Sequence, residues 1–101
     1  MIAVKVSYNV KESYVELNKE KISAFLKSFI DLDNSLFIYS VFQAKETNTF
    51  VHISQYRNED IQHELLNIPS FVEFQKCRDE NLETKPTIEI LEYVGGSREL
   101  F

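Results

Sequence analysis

The sequence predicts a single α+β domain of the ferredoxin-like type, with the element order β-α-β-β-α-β. Strand periodicity opens and closes the chain, two further strand-like stretches follow each other in its middle, and helical periodicity separates these groups. This order is typical of the split β-α-β arrangement, in which one antiparallel sheet carries the helices on one face. The 101 residues suffice for one core, so residues 1–101 are predicted to form one domain.

The first half of this pattern begins with a strand from Ile2 to Val10, in which apolar residues occupy alternate positions. Asn18 is the predicted N-cap of the first helix. Turn-forming residues at positions 31–34 are expected to end that helix, and Asp31 and Asp33 are interpreted as turn residues, since a calcium loop needs more oxygens. The helix presents an apolar stripe at spacings of three and four residues, formed by Ile22, Phe25, Leu26, Phe29 and Ile30.

The second strand is predicted over Ser35–Ala44, and its apolar residues fall on both faces. A hairpin loop at positions 45–48 leads to a third strand, Thr49–Tyr56. In this topology the second strand lies at an edge of the sheet, where one face should be wet. We therefore expect a second copy of the chain to cover that face, as an isologous homodimer.

A short helix is predicted from Arg57 to Leu66, with Asn58 as its cap and acidic residues in its first turn. Pro69 interrupts it. Ser70 and Glu73 then have the spacing of a capping box, which predicts a further helix that runs to about residue 82.

The last strand is predicted from Ile88 to Val94, after Pro86 and before the Gly95-Gly96 turn. Two alternatives remain for the tail SRELF. Its Leu100 and Phe101 reach across to the partner subunit, or the tail is loose.

The charge and the hydropathy pattern restrict the partners of the chain. Nucleic-acid binding depends on Lys and Arg that neutralise phosphates, so a net charge of −5 argues against it and against an anionic membrane surface. No apolar run approaches the roughly eighteen residues of a membrane span, and the first residues lack a secretory pattern. Cys77 is the one cysteine, so no internal disulfide forms. A cytoplasmic location is expected.

The segments LFIYSVF, TFVHISQY and VGGSRELF, with Pro69-Ser70-Phe71 between the last two, resemble the antibiotic biosynthesis monooxygenase-like family. The resemblance covers essentially the whole chain and implies a small dimeric α/β barrel with a ligand cavity between the sheet and its helices. Members of that family include cofactor-free oxygenases of polycyclic quinols, a quinol monooxygenase and haem-degrading enzymes.

Three departures from the family pattern bear on the chemistry. Ser54 stands where members carry a Glu, although Tyr56 matches the aromatic residue that follows, and Leu65 stands where many carry a His. The chain also contains no Trp. These departures disfavour haem degradation, and no cofactor is expected.

His52 is the predicted catalytic base, with Tyr56 as its catalytic partner. An imidazole titrates near neutral pH and can take a proton from a phenol or quinol hydroxyl. A deprotonated quinol reduces O₂ readily, so a base in a dry pocket would need no cofactor. The alternative is a structural histidine that is hydrogen bonded inside the sheet or at the dimer interface.

Tyr8, Tyr39 and Ser54 are the predicted ligand-binding residues, because their hydroxyls can orient a polar aromatic ligand. Tyrosines on strands also serve as packing residues with the hydroxyl at the rim. His63 is expected to be solvated and Cys77 to be a partly buried structural thiol. No metal site is predicted, because the two histidines lie on different elements without a third ligand at metal spacing.

The sequence therefore predicts a small-molecule-binding protein, and its specific hypothesis is cofactor-free oxidation of a quinol or another hydroxylated aromatic by O₂. The alternative is a non-catalytic dimeric binding protein whose cavity is filled by Phe and Leu side chains, which the missing family residues favour. A third hypothesis, an isomerase or decarboxylase of a related aromatic, uses the same base.

Overall fold

The computed structural model describes residues 1–101 and has the predicted α+β element order, with the second helical region divided in two. Short 3₁₀ turns flank the first helix, at Glu12–Tyr14 and Phe29–Asp31. The principal elements are β1 (Ile2–Asn9), α1 (Val15–Ser28), β2 (Phe37–Gln43), β3 (Thr49–Tyr56), α2 (Glu59–Leu66), α3 (Pro69–Asp79) and β4 (Thr87–Leu91).

The four strands form one antiparallel sheet in the order β2-β3-β1-β4, which confirms the ferredoxin-like fold class and places β2 at an edge. The helices lie on the face that carries the alternate buried residues of β3, and β4 stays exposed along its whole length. Helix α1 packs on α3 through Phe25, whose ring centroid lies 5.0 Å from that of Phe71 and 4.9 Å from that of Phe74.

The start of α1 differs from the prediction. The helix begins at Val15, and Asn18 lies inside it, fully buried, where it cannot act as an N-cap. The 3₁₀ turn at Glu12–Tyr14 brings the chain into helical geometry earlier than the apolar stripe indicates. An Asn one turn before that stripe is therefore a core residue.

The predicted apolar stripe, which runs from α1 into the 3₁₀ turn that follows it, is buried only in part. Ile22, Phe25 and Phe29 enter the core, whereas Leu26 is 40% exposed and Ile30 is 84% exposed. Because β2 is the edge strand, no further strand lies beneath this side of the helix. The two side chains consequently border grooves at the surface.

Strand β2 is shorter than predicted, and within one chain only its Phe37 is buried. Within one chain the helices cover one face of the sheet only, and the covering of the other face by a second copy stays a prediction. On the opposite face, which we call the open face, Phe42 is 56% exposed. The residues of β2 and β3 on this face are Ile38, Ser40, Phe42, Thr49, Val51, Ile53 and Gln55.

Asn58 caps α2 as predicted, because its side-chain oxygen accepts a hydrogen bond of 3.0 Å from the backbone N–H of Ile61. The capping box of α3 is wrong: Ile68 is the N-cap residue and Pro69 occupies the first turn. The Ser70 hydroxyl instead donates to the hydroxyl of Ser28 on α1, which ties the two helices together.

The last helix and the last strand both end earlier in the chain than predicted. Helix α3 ends at Asp79, and Leu82, predicted as its last residue, forms an isolated bridge with Val10. Strand β4 ends at Leu91, and Val94 is fully exposed. No helix of the chain has the length and hydropathy that a bilayer crossing requires.

The C-terminal tail folds back on its own chain. Leu100 and Phe101 are half-buried, and together with Met1, Arg57 and Tyr93 they border a cleft of about 360 Å³. In the single chain the last two residues of the tail therefore contact their own domain, and a contact with the partner subunit stays a prediction.

Candidate ligand-binding site

His52 lies in the middle of β3, on the face that the helices cover, and only 3% of it is exposed. Its Nε2 lies 2.8 Å from the hydroxyl oxygen of Tyr8, and its Nδ1 lies 2.7 Å from the hydroxyl oxygen of Tyr39. Both ring nitrogens are therefore hydrogen bonded to tyrosines. The histidine on β3 thus links a tyrosine of β1 with a tyrosine of β2.

The register of the sheet produces this arrangement. Val6 of β1 and Val41 of β2 are the direct partners of His52. Tyr8 and Tyr39 stand two residues away from those partners, towards opposite ends of β3, so both are diagonal neighbours of the imidazole. Diagonal side chains on one face of a sheet are within reach of each other when they are aromatic or long.

The hydrogen-bonded chain continues inwards to α1. The side-chain amide nitrogen of Asn18 donates to the Tyr8 hydroxyl at 3.0 Å, and the amide oxygen of Asn18 is buried without a partner. With Asn18 as donor, the Tyr8 hydroxyl donates to Nε2 of His52, and Nδ1–H then donates to Tyr39. If the amide oxygen and nitrogen exchange places, every bond of the chain reverses.

This network is uncharged at neutral pH. Burial, with a smaller effect of the Arg78 cation, lowers the pKa of His52 to about 3. Burial raises the pKa of Tyr8 and that of Tyr39 far above the usual range of a phenol. Arg78 itself lies against the inner end of the network, with its guanidinium carbon 5.3 Å from the ring centroid of Tyr8.

Aromatic rings fill the space between the sheet and the helices around His52. The ring of Phe74 is stacked on the imidazole at a centroid distance of 5.4 Å, and the ring of Phe25 lies at 6.2 Å. Both phenylalanines are fully buried. The internal cavity that the family resemblance implies is thus closed at His52.

Tyr39 connects the buried network with the surface. It borders a groove of about 560 Å³ at the β2 edge of the sheet, beneath the C-terminal half of α1. A second groove, of about 290 Å³, continues along the same edge and shares Leu26 with the first. The first groove, which we call the Tyr39 groove, is lined by Leu26, Lys27, Phe29, Ile30, Asn34, Phe37 and Tyr39.

Of the predicted site residues, the structure brings His52, Tyr8 and Tyr39 together. Ser54 and Tyr56 lie further along β3, buried, and neither is hydrogen bonded to His52. Burial raises the pKa of Tyr56 as well.

Sequence reasoning missed two members of the site, Asn18 and Arg78. Asn18 stands four residues before Ile22, so the apolar stripe already places it on the inward side of α1. No sequence pattern identifies Arg78, because an arginine at the surface and one that lies over an aromatic ring cannot be distinguished by sequence.

The remaining candidates stand apart from this network. His63 is exposed on α2. Cys77 is half-buried, and its thiol lies 3.4 Å from a carboxylate oxygen of Glu73, which raises the pKa of the thiol. No three side chains of the metal-binding types lie together.

Comparison with solved structures identifies the fold. The chain superposes on a crystal structure of an antibiotic biosynthesis monooxygenase with a TM-score of 0.79 and 12% identity, over 94% of this chain and 100% of that one. For the Mycobacterium tuberculosis protein Rv0793 the TM-score is 0.80 at 13% identity, with 96% and 98% covered. A conserved protein from Methanosarcina mazei Go1 gives 0.73 at 18% identity, with 90% and 92% covered.

No protein-family model matches the chain, and no curated protein matches its sequence. At these identities the likeness to solved structures concerns the fold. The resemblance that the sequence indicated is confirmed at that level: this chain has the fold of the antibiotic biosynthesis monooxygenases.

Proposed function

We propose that the chain is a small-molecule-binding protein of the monooxygenase-like fold, that its ligand is a hydroxylated aromatic compound such as a quinol, and that the ligand occupies the Tyr39 groove. One observation carries this proposal. A hydrogen-bonded chain that begins at buried Asn18 and passes through Tyr8 and His52 ends at Tyr39, which borders an apolar groove.

The shape and polarity of the groove suit such a ligand. Small-molecule sites are mostly apolar and hold a few polar groups that fix the orientation of the ligand. Phe29, Phe37 and the ring of Tyr39 supply apolar and aromatic surface. A ligand hydroxyl that reaches the hydroxyl of Tyr39 joins a network in which Tyr39 is already oriented by His52.

In this proposal Tyr39 contacts the ligand, and His52 holds Tyr39 in its orientation. The pKa of about 3 at His52 lies several units below that of a phenol, so the imidazole is a weak acceptor for a phenolic proton. Its free base form is present at neutral pH and holds Tyr39 by a 2.7 Å hydrogen bond. Ser54 and Tyr56 do not line the groove, but they stand directly opposite Tyr39 and Phe37 in the β2–β3 ladder.

Cofactor-free oxidation is the second candidate function, and the likeness to a structure named as an antibiotic biosynthesis monooxygenase favours it. A quinol and O₂ would give a hydroxyquinone and water, with one oxygen atom entering the ring and all four electrons coming from the quinol. In the reversed orientation of the hydrogen-bonded chain, in which Nδ1 is the unprotonated nitrogen of His52, the quinol proton would pass through the Tyr39 hydroxyl to Nδ1. The low pKa of His52 opposes that transfer, which is why binding ranks first.

We also propose that the chain is a homodimer that pairs through its open face. The centre of this face is formed by Val51 and Ile53 of β3, with Ile38 and Phe42 of β2 beside them. Lys5 of β1 stands opposite Ile53, so the apolar part of the open face is its β2–β3 half, and an apolar patch without a covering layer is typical of an interface. The Tyr39 groove lies on the helix side of the sheet, so pairing through the open face leaves it accessible.

Thermal unfolding in the presence of hydroxylated naphthalenes and anthracenes tests the binding proposal. A ligand at a hundred times its dissociation constant adds about 2.7 kcal/mol to the free energy of unfolding. We expect such stabilisation in the wild type and its loss in Tyr39→Phe, whereas Tyr93→Phe, an exposed tyrosine outside the Tyr39 groove, retains it. Stabilisation that persists in Tyr39→Phe would place the ligand elsewhere.

Oxygen uptake with the same compounds, without added cofactor, separates the two candidate functions. Uptake above the rate without protein that falls in His52→Gln supports oxidation with a proton transfer to His52. Binding without uptake supports the binding protein.

A further inference from the structure

The Tyr39 groove has an uneven charge distribution. Among the residues that line it, Lys27 is the only charged one. The adjoining groove along the same edge contains Lys19 and likewise no acidic residue. Lys19 is paired with Glu16, so the charge that matters is that of Lys27. In a chain with 16 acidic and 11 basic residues and a net charge of −5, an apolar groove whose one charged lining residue is a lysine favours an anionic ligand.

Lys27 is free to bind such a ligand. The ion pairs of the structure are formed by Lys5, Lys19, Lys21 and Arg78, and no carboxylate lies within 4.0 Å of Lys27. Asp33 is near in sequence but does not line the groove. Its carboxylate accepts hydrogen bonds from the backbone N–H and the hydroxyl of Ser35, which lower its pKa.

We propose that the ligand of the Tyr39 groove is a hydroxylated aromatic carboxylate, whose carboxylate is bound by the ammonium group of Lys27. This inference rests on the proposed function and names its ligand class. The aromatic body lies against Phe29, Phe37 and Tyr39, and the ligand hydroxyl and carboxylate face Tyr39 and Lys27. Lysine suits this role because its flexible stem carries a compact charge to the rim of a groove.

The position of Lys27 in the helix predicts how its substitution changes the binding of an anion. Lys27 lies in the last turn of α1, where the helix dipole is negative. With its charge gone, that end of the groove disfavours an anion. Without Lys27, a ligand with a carboxylate should therefore bind more weakly than the same ligand without one, which is the reverse of the wild-type preference.

The test compares two matched probes, 2-naphthol and 6-hydroxy-2-naphthoate, whose hydroxyl and carboxylate are too far apart to bond to each other, by calorimetric or fluorescence titration. In the wild type we expect the carboxylate to bind roughly fivefold more tightly at low ionic strength, and this ratio to fall towards one in high salt. In Lys27→Met we expect the naphthoate to bind more weakly than naphthol, with naphthol itself unchanged. Lys45→Met, in the hairpin loop outside both grooves, should leave both affinities unchanged.

The alternative outcomes separate the two proposals. Equal affinities of naphthol and hydroxynaphthoate for the wild type would overturn the ligand class and leave the proposed function intact. A carboxylate preference that survives in Lys27→Met would overturn the role of Lys27. If neither probe binds, the proposed function fails and this inference fails with it.

Discussion

The hydroxyl oxygen of Tyr8 lies 2.8 Å from Nε2 of His52, although the two residues are not partners in the β1–β3 ladder. Val6 is the residue opposite His52, and Phe50 is the residue opposite Tyr8. The contact is therefore diagonal, and it mirrors the contact of Tyr39 with Nδ1 on the other side. A line of three polar side chains crosses three strands inside an aromatic core.

The first prediction concerns the dependence of stability on pH. In the unfolded chain His52 binds a proton near pH 6.5, whereas in the folded chain its pKa is lowered to about 3. Its contribution is therefore fully present above pH 6.5 and is lost as the pH falls from there towards 3. Between pH 7 and pH 5 the wild type should lose about 2 kcal/mol of unfolding free energy through this group.

Urea unfolding at pH 7, 6 and 5 measures that loss. His52→Gln removes the titration while keeping hydrogen-bonding atoms, so its stability should fall by less over the same range. His63→Gln, which changes the exposed histidine on α2, is the matched control and should behave as the wild type. Equal slopes in the wild type and His52→Gln would contradict a lowered pKa at His52, as would an NMR titration of its ring near pH 6.

The second prediction concerns the Tyr39 hydroxyl as a structural partner. Tyr39→Phe leaves a ring nitrogen of His52 buried without its hydrogen bond, which should cost about 1–3 kcal/mol. Tyr93→Phe changes a tyrosine that is 46% exposed and should change stability by less than about 0.5 kcal/mol. Chemical unfolding of both variants at pH 7 gives the comparison, and a cost in Tyr39→Phe no larger than that in Tyr93→Phe would show that the bond adds nothing.

The third prediction tests which residues of the α1 stripe belong to the core. Phe25 is fully buried between the sheet and α3, so Phe25→Ala should cost about 3–5 kcal/mol. Ile30→Ala, at the most exposed position of the same stripe, should stay within about 0.5 kcal/mol. A large loss in Ile30→Ala would indicate that another surface covers this residue in solution.

The fourth prediction concerns the open face. Sedimentation should show a dimer for the wild type, and Ile53→Lys, at the centre of the open face, should shift it to the monomer. Val72→Lys serves as the control, because Val72 is also an apolar residue at the surface but lies on α3, away from the open face. A monomeric wild type would refute the dimer, and equal effects of both variants would refute its location.

The order of elements and the face of each strand were predictable because they are local. Alternation with a period of two places Tyr8, Tyr39 and His52 on fixed sides of their strands, and the structure puts all three on the helix side. The predicted first and last residues of the helices and strands were less accurate. The start of α1 and the ends of α3 and β4 depend on competing turns and pairings that a periodicity does not contain.

The sequence by itself determined the fold class, the edge position of β2 and which polar residues share a face of each strand. Only the tertiary structure decided that Tyr8 and Tyr39 bond to opposite nitrogens of His52, since strand register depends on pairing between distant segments. It also decided the protonation of that site. The low pKa of His52 arises from burial among rings contributed by α1 and α3, and desolvation is a property of the packed core that no single segment carries.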